Sequence, residues 1–318
     1  MLDVARLPDS RFHQLRHDSS FVLLESAQFR VEGPGALDCL QGLLTCDVAA
    51  PGPGSALYGA VLTAKGMIVA DFHVLRDDIG FTLISSLALR GVALELFRKQ
   101  LPPRLARVTD WSESSRTIWL LGQRAQETLG AAGLAWPSEH GRVVGTVARP
   151  HALAPWPALI AGPVAECDAL ANALEGAGSR RTGPDDLEAA RILGGWPAVG
   201  REIDARTLPQ EVRYDELGGV SYTKGCYVGQ ETVARVHFRG HVNRLLRGVA
   251  WEGAPPEQDE IAQGNKTVGR LTSAMQVEDR GYGLAMLRRE VEPGTAVSVG
   301  GIAATVERLP FPVPAVAA

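Results

Sequence analysis

Lysine is scarce in this chain of 318 residues. Of its 32 basic residues four are lysines (Lys65, Lys99, Lys224 and Lys266) and the rest are arginines. The 36 acidic residues bring the formal net charge to -4, so no overall basic field is present to gather nucleic acid or an anionic membrane surface. We therefore expect no direct nucleic-acid partner and no membrane association.

Cysteine is also scarce, and its spacing excludes two classes of protein. Cys39, Cys46, Cys167 and Cys226 lie far apart, and no pair has two intervening residues. This argues against a zinc ribbon and against a small secreted scaffold held by disulfides. Residues 1–20 lack the apolar core of a secretory signal, and no apolar run approaches the length of a membrane span. We expect a cytoplasmic protein in a reducing compartment.

Motifs for nucleotide chemistry and metal binding are missing. No glycine is followed by lysine, which excludes a Walker A loop, and no dinucleotide fingerprint follows a strand-like run. His13 with His17, and His237 with His241, have helical spacing but no third ligand at a recognisable distance. The sequence therefore predicts no metal site.

The first 240 residues alternate between strand-like and helical patterns. Strands are predicted at 21–24, 29–31, 57–62, 67–74, 81–84, 117–121, 143–147 and 158–161, and helices at 36–44, 86–101, 123–129, 164–174 and 184–194. The last helix has Pro184 at its start and Gly194 with Gly195 at its end. No element is predicted before Phe21. This pattern indicates a mixed α and β region over residues 1–240.

The pattern changes after about residue 242. Helical periodicity disappears, and short β-rich runs separated by glycine or proline follow at 245–251, 267–271, 282–287, 296–299 and 303–306. Several short strands with turn signals between them predict a small antiparallel barrel or sandwich. We therefore expect a second domain over residues 241–318.

The most informative segment reads KGCYVGQE and spans Lys224 to Glu231. Its glycines allow close backbone approach, and residues 227–236 have enough helical character to start a helix near Cys226. At a helix amino end, the dipole and the neighbouring Lys224 would favour thiolate over thiol, as a nucleophilic or redox cysteine requires. The alternative is that Cys226 is a small buried apolar residue, as many free cysteines are.

This octet resembles the signature of the YgfZ family, folate-binding relatives of the glycine cleavage T-protein that include iron-sulfur assembly factors. Further segments resemble the family at Gly35–Gly42, Ala64–Phe72 and Arg191–Gly200. The resemblance implies an α+β fold with two discontinuous ferredoxin-like α/β subdomains and a C-terminal antiparallel β-barrel around a channel for tetrahydrofolate. It implies Cys226 and Asp71 as catalytic residues. The residues it implies for cofactor binding are Lys224, Gly225, Tyr227, Gly229, Gln230, Glu231, Arg235 and Lys65.

Two positions depart from the T-protein pattern. Leu193 stands where that family has a pterin-binding glutamate, and Glu188, five residues earlier on the same predicted helix, is rotated away from it. Ala70 and Asp71 stand where that family has paired aspartates, so only the second carboxylate is present. A lone strand carboxylate can act as a general acid or base or can be structural.

Three functions follow as hypotheses. In the first, the protein binds tetrahydrofolate and supports iron-sulfur cluster assembly or repair, and thereby iron-sulfur enzymes such as those that modify tRNA. Cys226 is then the essential thiol, and iron-sulfur proteins or their assembly machinery are the expected partners. In the second, it is a folate-dependent aminomethyl or one-carbon transferase that uses Asp71. In the third, it is an RNA-associated or protein-binding module without a small-molecule site.

Overall fold

The computed structural model describes residues 4–312. Seven α-helices lie within this range: α1 (Asp9–His17), α2 (Ala36–Leu43), α3 (Arg90–Gln100), α4 (Ala125–Ala131), α5 (Val164–Gly176), α6 (Pro184–Gly194) and α7 (Gln230–Arg239). None of the helices described there is long and apolar enough to cross a membrane.

One large sheet carries most of the first 240 residues. Its eleven strands are β2 (Ser20–Leu24), β3 (Ala27–Glu32), β4 (Ser55–Leu62), β5 (Ile68–Arg76), β6 (Gly80–Ser85), β7 (Arg107–Asp110), β8 (Ser115–Leu121), β9 (Arg142–Val144), β10 (Val147–Arg149), β11 (Ala158–Pro163) and β12 (Arg180–Thr182). They follow the order β12-β2-β8-β11-β10-β9-β4-β5-β6-β3-β7. Neighbouring strands are antiparallel, except that β12 runs parallel to β2.

Each half of this sheet has its own core and its own pair of helices. Phe97 of α3 and Leu40 of α2 pack on Phe29 and Phe72 in one half. Leu129 of α4 and Leu174 of α5 pack against the other half. The predicted arrangement of two α/β subdomains is therefore confirmed, and their strands form one continuous sheet.

The later strands close into a barrel. They are β13 (Arg244–Glu252), β14 (Glu260–Gln263), β15 (Lys266–Val277), β16 (Arg280–Arg288), β17 (Ala296–Val299) and β18 (Ile302–Glu307). The order β15-β14-β17-β18-β13-β16 returns to β15 through an antiparallel β15–β16 pairing, which confirms the predicted barrel. The closed sheet surrounds its own apolar core, which includes Trp251 and Leu271.

Sequence patterns missed three features of the architecture. Strand β1 (Val4–Leu7) pairs in parallel with β15, and helix α1 follows it, although no element is predicted before Phe21. The predicted strand 143–147 is two strands, because Gly145 adopts a positive φ of 59° and turns the chain into a β9–β10 hairpin. The short strands β7, β12 and β14 are also additional. The division at residue 240 stays a prediction.

A buried ion pair links α6 to the barrel. Arg191 donates to Glu202 at 2.7 Å and to the Ser273 hydroxyl of β15 at 2.6 Å, and Ser273 donates to Glu202 at 2.6 Å. Glu202 is 2% exposed, and the backbone N–H of Ala198 donates to the same carboxylate oxygen as Arg191. Since each buried charge has a partner, this network can lie in the interior at a tolerable desolvation cost.

Candidate functional site

Cys226 lies on an exposed loop before α7. The structure describes all four cysteines: Cys46 and Cys167 are buried, Cys39 is partly buried and Cys226 is exposed. The prediction that Cys226 occupies a helix amino end is wrong, because α7 begins at Gln230 and three residues separate the two. A helix dipole acts mainly within its first turn, so exposure is what distinguishes this thiol.

The loop is fixed by close packing of two glycines. Gly229 has a φ of 82°, and a Cβ atom there would lie 2.5 Å from the Thr63 carbonyl oxygen and 3.0 Å from the Cα of Gly66. Gly66, in the turn between β4 and β5, has a φ of 85°. Close approach is thus confirmed at Gly229. It is wrong for Gly225, where an added Cβ would meet nothing within 4 Å.

Lys224 points into the protein. Its ammonium donates to the carbonyl oxygens of Leu44 at 2.7 Å and Cys46 at 2.9 Å, and it lies 5.1 Å from the centre of the Tyr227 ring. Burial lowers the pKa of Lys224 to about 8 and raises the pKa of the Cys46 thiol to about 12. In this geometry Lys224 ties the motif to the chain after α2.

Asp71 lies on β5 beside two tyrosines. The Tyr58 hydroxyl donates to its carboxylate at 2.8 Å, and the hydroxyls of Tyr58 and Tyr214 are 3.0 Å apart. Burial raises the pKa of Asp71 to about 6, although the Tyr58 hydrogen bond opposes this shift. Asp71 can therefore hold or release a proton near neutral pH. Ala70 faces the core on the other side of the sheet, so no second carboxylate joins it from that position.

An aromatic cluster adjoins Asp71. Its members are Tyr58, His73, Trp119, Trp156, Trp196 and Tyr214. Burial lowers the pKa of His73 to about 3, so its ring is neutral at physiological pH. Sequence reasoning missed this cluster. One local signal was available: His73 follows Asp71 by two residues on one strand and so shares its face.

A cavity of about 390 Å³ lies on the other side of Trp156. It is bounded by α1, α6, the segment from His140 to Pro157, Tyr282 of the barrel, and Phe311. Leu193 lines it, and Trp156 contributes both to its wall and to the aromatic cluster. Glu188 does not replace the missing glutamate, because its carboxylate pairs with Arg191 at 2.7 Å.

The remaining predicted site residues are divided between surface and core. Tyr227 is 7% exposed and packs in the core that α6 shares with the barrel. Lys65, Glu231 and Arg235 are exposed, and Gln230 is partly buried at the start of α7. Within residues 4–312, no group of three or more His, Cys, Asp or Glu side chains is arranged to hold a metal ion.

The motif and the strand pair of Asp71 are connected through residues 44–46. Lys224 binds the carbonyls on either side of Thr45, while the Thr45 hydroxyl accepts from the N–H of Ala60. Ala60 is directly opposite Asp71 in the β4–β5 register. The structure thus places Lys224 near the strand pair that carries Asp71 and leaves Cys226 on the surface.

Two family models match this chain. The GCVT N-terminal domain matches residues 21–137, and the CAF17 C-terminal beta-barrel domain matches residues 243–311. The chain is 28% identical over 294 residues to the tRNA-modifying protein YgfZ of Klebsiella pneumoniae (strain 342), covering 89% of each chain. It is 28% identical over 293 residues to the protein of the same name from Escherichia coli (strain K12 / DH10B), again covering 89% of each. The chain is thus similar to the YgfZ proteins over most of its length, and its last part matches the CAF17 barrel.

One solved structure has a similar fold. The glycine cleavage system aminomethyltransferase T from Bartonella henselae is superimposed with a TM-score of 0.82, over 95% of this chain and 89% of that one. The two sequences are 19% identical, so this match supports the fold alone. This chain thus shares its overall architecture with that aminomethyltransferase.

Proposed function

We propose that this protein binds tetrahydrofolate and supports the assembly or repair of iron-sulfur clusters in other proteins, with Cys226 as its reactive thiol. The observation that carries the proposal is the position of Cys226: it is the exposed cysteine of the four, on a loop whose backbone is fixed against the Thr63–Met67 turn. A thiol that meets a partner protein must be reachable, and a buried cysteine is inert.

In this proposal, tetrahydrofolate binds to the protein as a small-molecule ligand. Aromatic and apolar walls suit its flat rings, and such walls line the cavity through Phe12, Trp156, Tyr282 and Phe311. The edge of the pterin offers donors that suit a carboxylate, and the cavity lining includes none. The faces of the tetrahydrofolate rings therefore suit this cavity. The edge of the pterin does not, because the cavity lacks the glutamate that the T-protein pattern has at the position of Leu193.

The experiment that tests Cys226 is rescue of iron-sulfur enzyme activity in a cell that lacks its own copy of the protein. The Cys226→Ala variant should fail to restore activity, whereas Cys39→Ala, which removes a partly buried thiol, should restore it. Equal rescue by both variants would overturn the role of Cys226. Calorimetry of the purified protein with tetrahydrofolate tests the folate half of the proposal separately.

A second candidate is a folate-dependent one-carbon transferase. It is supported by Asp71, whose pKa of about 6 suits a group that exchanges protons near neutral pH. It predicts formation of methylenetetrahydrofolate from an aminomethyl donor, with loss of that turnover in Asp71→Asn. Turnover that is undiminished in this variant would exclude the use of Asp71.

A further inference from the structure

The cavity beside Leu193 is mainly apolar, and its few polar side chains include hydrogen-bond donors and no acid. Among its polar side chains are Arg16, Gln123, His140 and His151. His140 contacts the Pro150 carbonyl and Arg149, and burial lowers the pKa of His151. Among the described residues that line this cavity, Arg16 is therefore the one whose side chain is permanently positive.

Arg16 has an incomplete set of partners. Its Nη2 atom is buried and has no hydrogen-bond partner, and its guanidinium carbon lies 5.3 Å from the centre of the Phe12 ring. Burial lowers the pKa of Arg16, which means that its positive charge is partly desolvated without full compensation. A guanidinium in this condition gains strongly when a carboxylate binds, because charge-assisted hydrogen bonds replace lost hydration.

A second donor in the same wall is also unpaired. Trp156 is 5% exposed, and its indole nitrogen has no hydrogen-bond partner. Aromatic rings of Phe12, Tyr282 and Phe311 complete the surroundings. Stacking surfaces together with unsatisfied donors match a flat ring that carries acceptors, and they match poorly a ring edge made of donors.

We infer that this cavity binds a planar aromatic carboxylate, with the Arg16 guanidinium holding the carboxylate and the aromatic walls holding the ring. This recognition has the opposite polarity to that of a pterin-binding glutamate, whose place Leu193 takes. The inference deepens the proposed function and in that form rests on it. For tetrahydrofolate, the cavity selects the p-aminobenzoylglutamate part: its benzoyl ring takes the place of the aromatic ring, a glutamate carboxylate takes the place of the ring carboxylate at Arg16, and the pterin binds elsewhere.

The first experiment uses the wild-type protein alone. Calorimetry at fixed salt compares p-aminobenzoylglutamate and p-aminobenzoate with p-aminobenzamide, which keeps the ring and removes the charge. The carboxylates should bind about tenfold or more tightly than the amide, since a charge-assisted bond is lost in the amide. Equal affinity for acid and amide, or no binding of either acid, would overturn the inference.

Substitutions then locate the effect. Arg16→Gln should abolish the preference for acid over amide, whereas Arg98→Gln, which removes an exposed arginine on α3, should retain it. If Arg16→Gln fails to fold, Leu193→Glu offers a second variant, because a carboxylate on the same wall competes for Arg16. It should weaken p-aminobenzoate binding about tenfold relative to Leu193→Gln.

The outcomes separate this inference from the folate proposal. Binding of p-aminobenzoate that depends on Arg16, with no binding of tetrahydrofolate, would overturn folate binding and support the inference. Tetrahydrofolate binding that is unchanged in Arg16→Gln would support folate binding and overturn the inference. Binding of a tail-less tetrahydropterin that is unaffected by Arg16→Gln, together with weakened tetrahydrofolate binding, is the result expected if both hold.

Discussion

The backbones of Gly229 and Gly66 lie in direct contact, so that a Cβ atom on Gly229 would come within 3.0 Å of the Cα of Gly66. Both residues have positive φ angles, of 82° and 85°. The contact holds the start of α7 against the turn between β4 and β5. It thereby sets the position of the loop that carries Cys226.

Gly229→Ala should be strongly destabilising for two reasons. The added Cβ would lie 2.5 Å from the Thr63 carbonyl oxygen, and alanine disfavours the left-handed backbone. We expect a loss of about 2 kcal/mol or more in the free energy of unfolding, measured by urea denaturation. Gly225→Ala is the matched control within the same motif, since its Cβ would meet nothing within 4 Å. Equal losses in the two variants would contradict the packing argument.

The exposure of the four thiols predicts the order in which they react. Cys226 should be alkylated first by iodoacetamide in the native protein, because it is exposed, while burial raises the pKa of Cys46 to about 12 and also raises that of Cys167. Mass spectrometry of peptides after short exposures measures the order. A Cys226→Ala protein should lose the fast phase and keep the slow ones. Rapid labelling of Cys46 in the folded protein would contradict the structure.

Periodicity and turn residues predicted much of the fold because those signals are local. Helix α6 has its boundaries where Pro184 and Gly195 require them, and Gly195 adopts the left-handed conformation expected of a helix end. Strand β1 escaped prediction because its partner, β15, lies about 270 residues further along the chain. A four-residue edge strand leaves little periodic signal before that pairing forms.

A local motif in the sequence was enough to single out Cys226. The environments of the other side chains depend on tertiary packing and could not be predicted from local patterns. The octet marked Cys226, and the structure leaves its side chain exposed. Lys224 belongs to the same octet, yet its ammonium is bound to two buried carbonyls. The environments of Arg16 and Trp156 arise from α1, the loop near Pro155 and the barrel, which no local pattern brings together.

The buried acid at the junction with the barrel should be important for stability. Glu202→Gln would remove one of the two charges that compensate Arg191 and weaken the hydrogen bonds from Ser273 and Thr272. We expect a loss of about 2 kcal/mol in the free energy of unfolding, because the buried Arg191 loses one of its two carboxylate partners and keeps Glu188. Glu216→Gln removes an acid that is 57% exposed and pairs with Arg213, and it should cost less than about 1 kcal/mol. A small loss in Glu202→Gln would show that the network contributes little.

Asp71 should give the stability of the protein a distinctive pH dependence. Because its folded-state pKa is raised from 3.8 to about 6, the folded protein binds more protons than the unfolded chain between these values. The contribution of Asp71 to stability therefore falls as the pH rises from about 4 to about 6. Asparagine cannot ionise, so the unfolding free energy of Asp71→Asn should increase relative to wild type over this window, as followed by urea denaturation at successive pH values.

The control for this titration is Asp47, whose carboxylate accepts hydrogen bonds from Gln41, Ala49 and Ala50. Burial raises the pKa of Asp47, but these bonds outweigh burial and leave its pKa lowered. The difference between Asp47→Asn and wild type should therefore be constant from about pH 5 to 7 and should change only in more acidic solution. A flat difference for Asp71→Asn between pH 4 and 7 would mean that its carboxyl is not desolvated beside Tyr58. A proton-transfer role for Asp71 near neutral pH would then lose its physical basis.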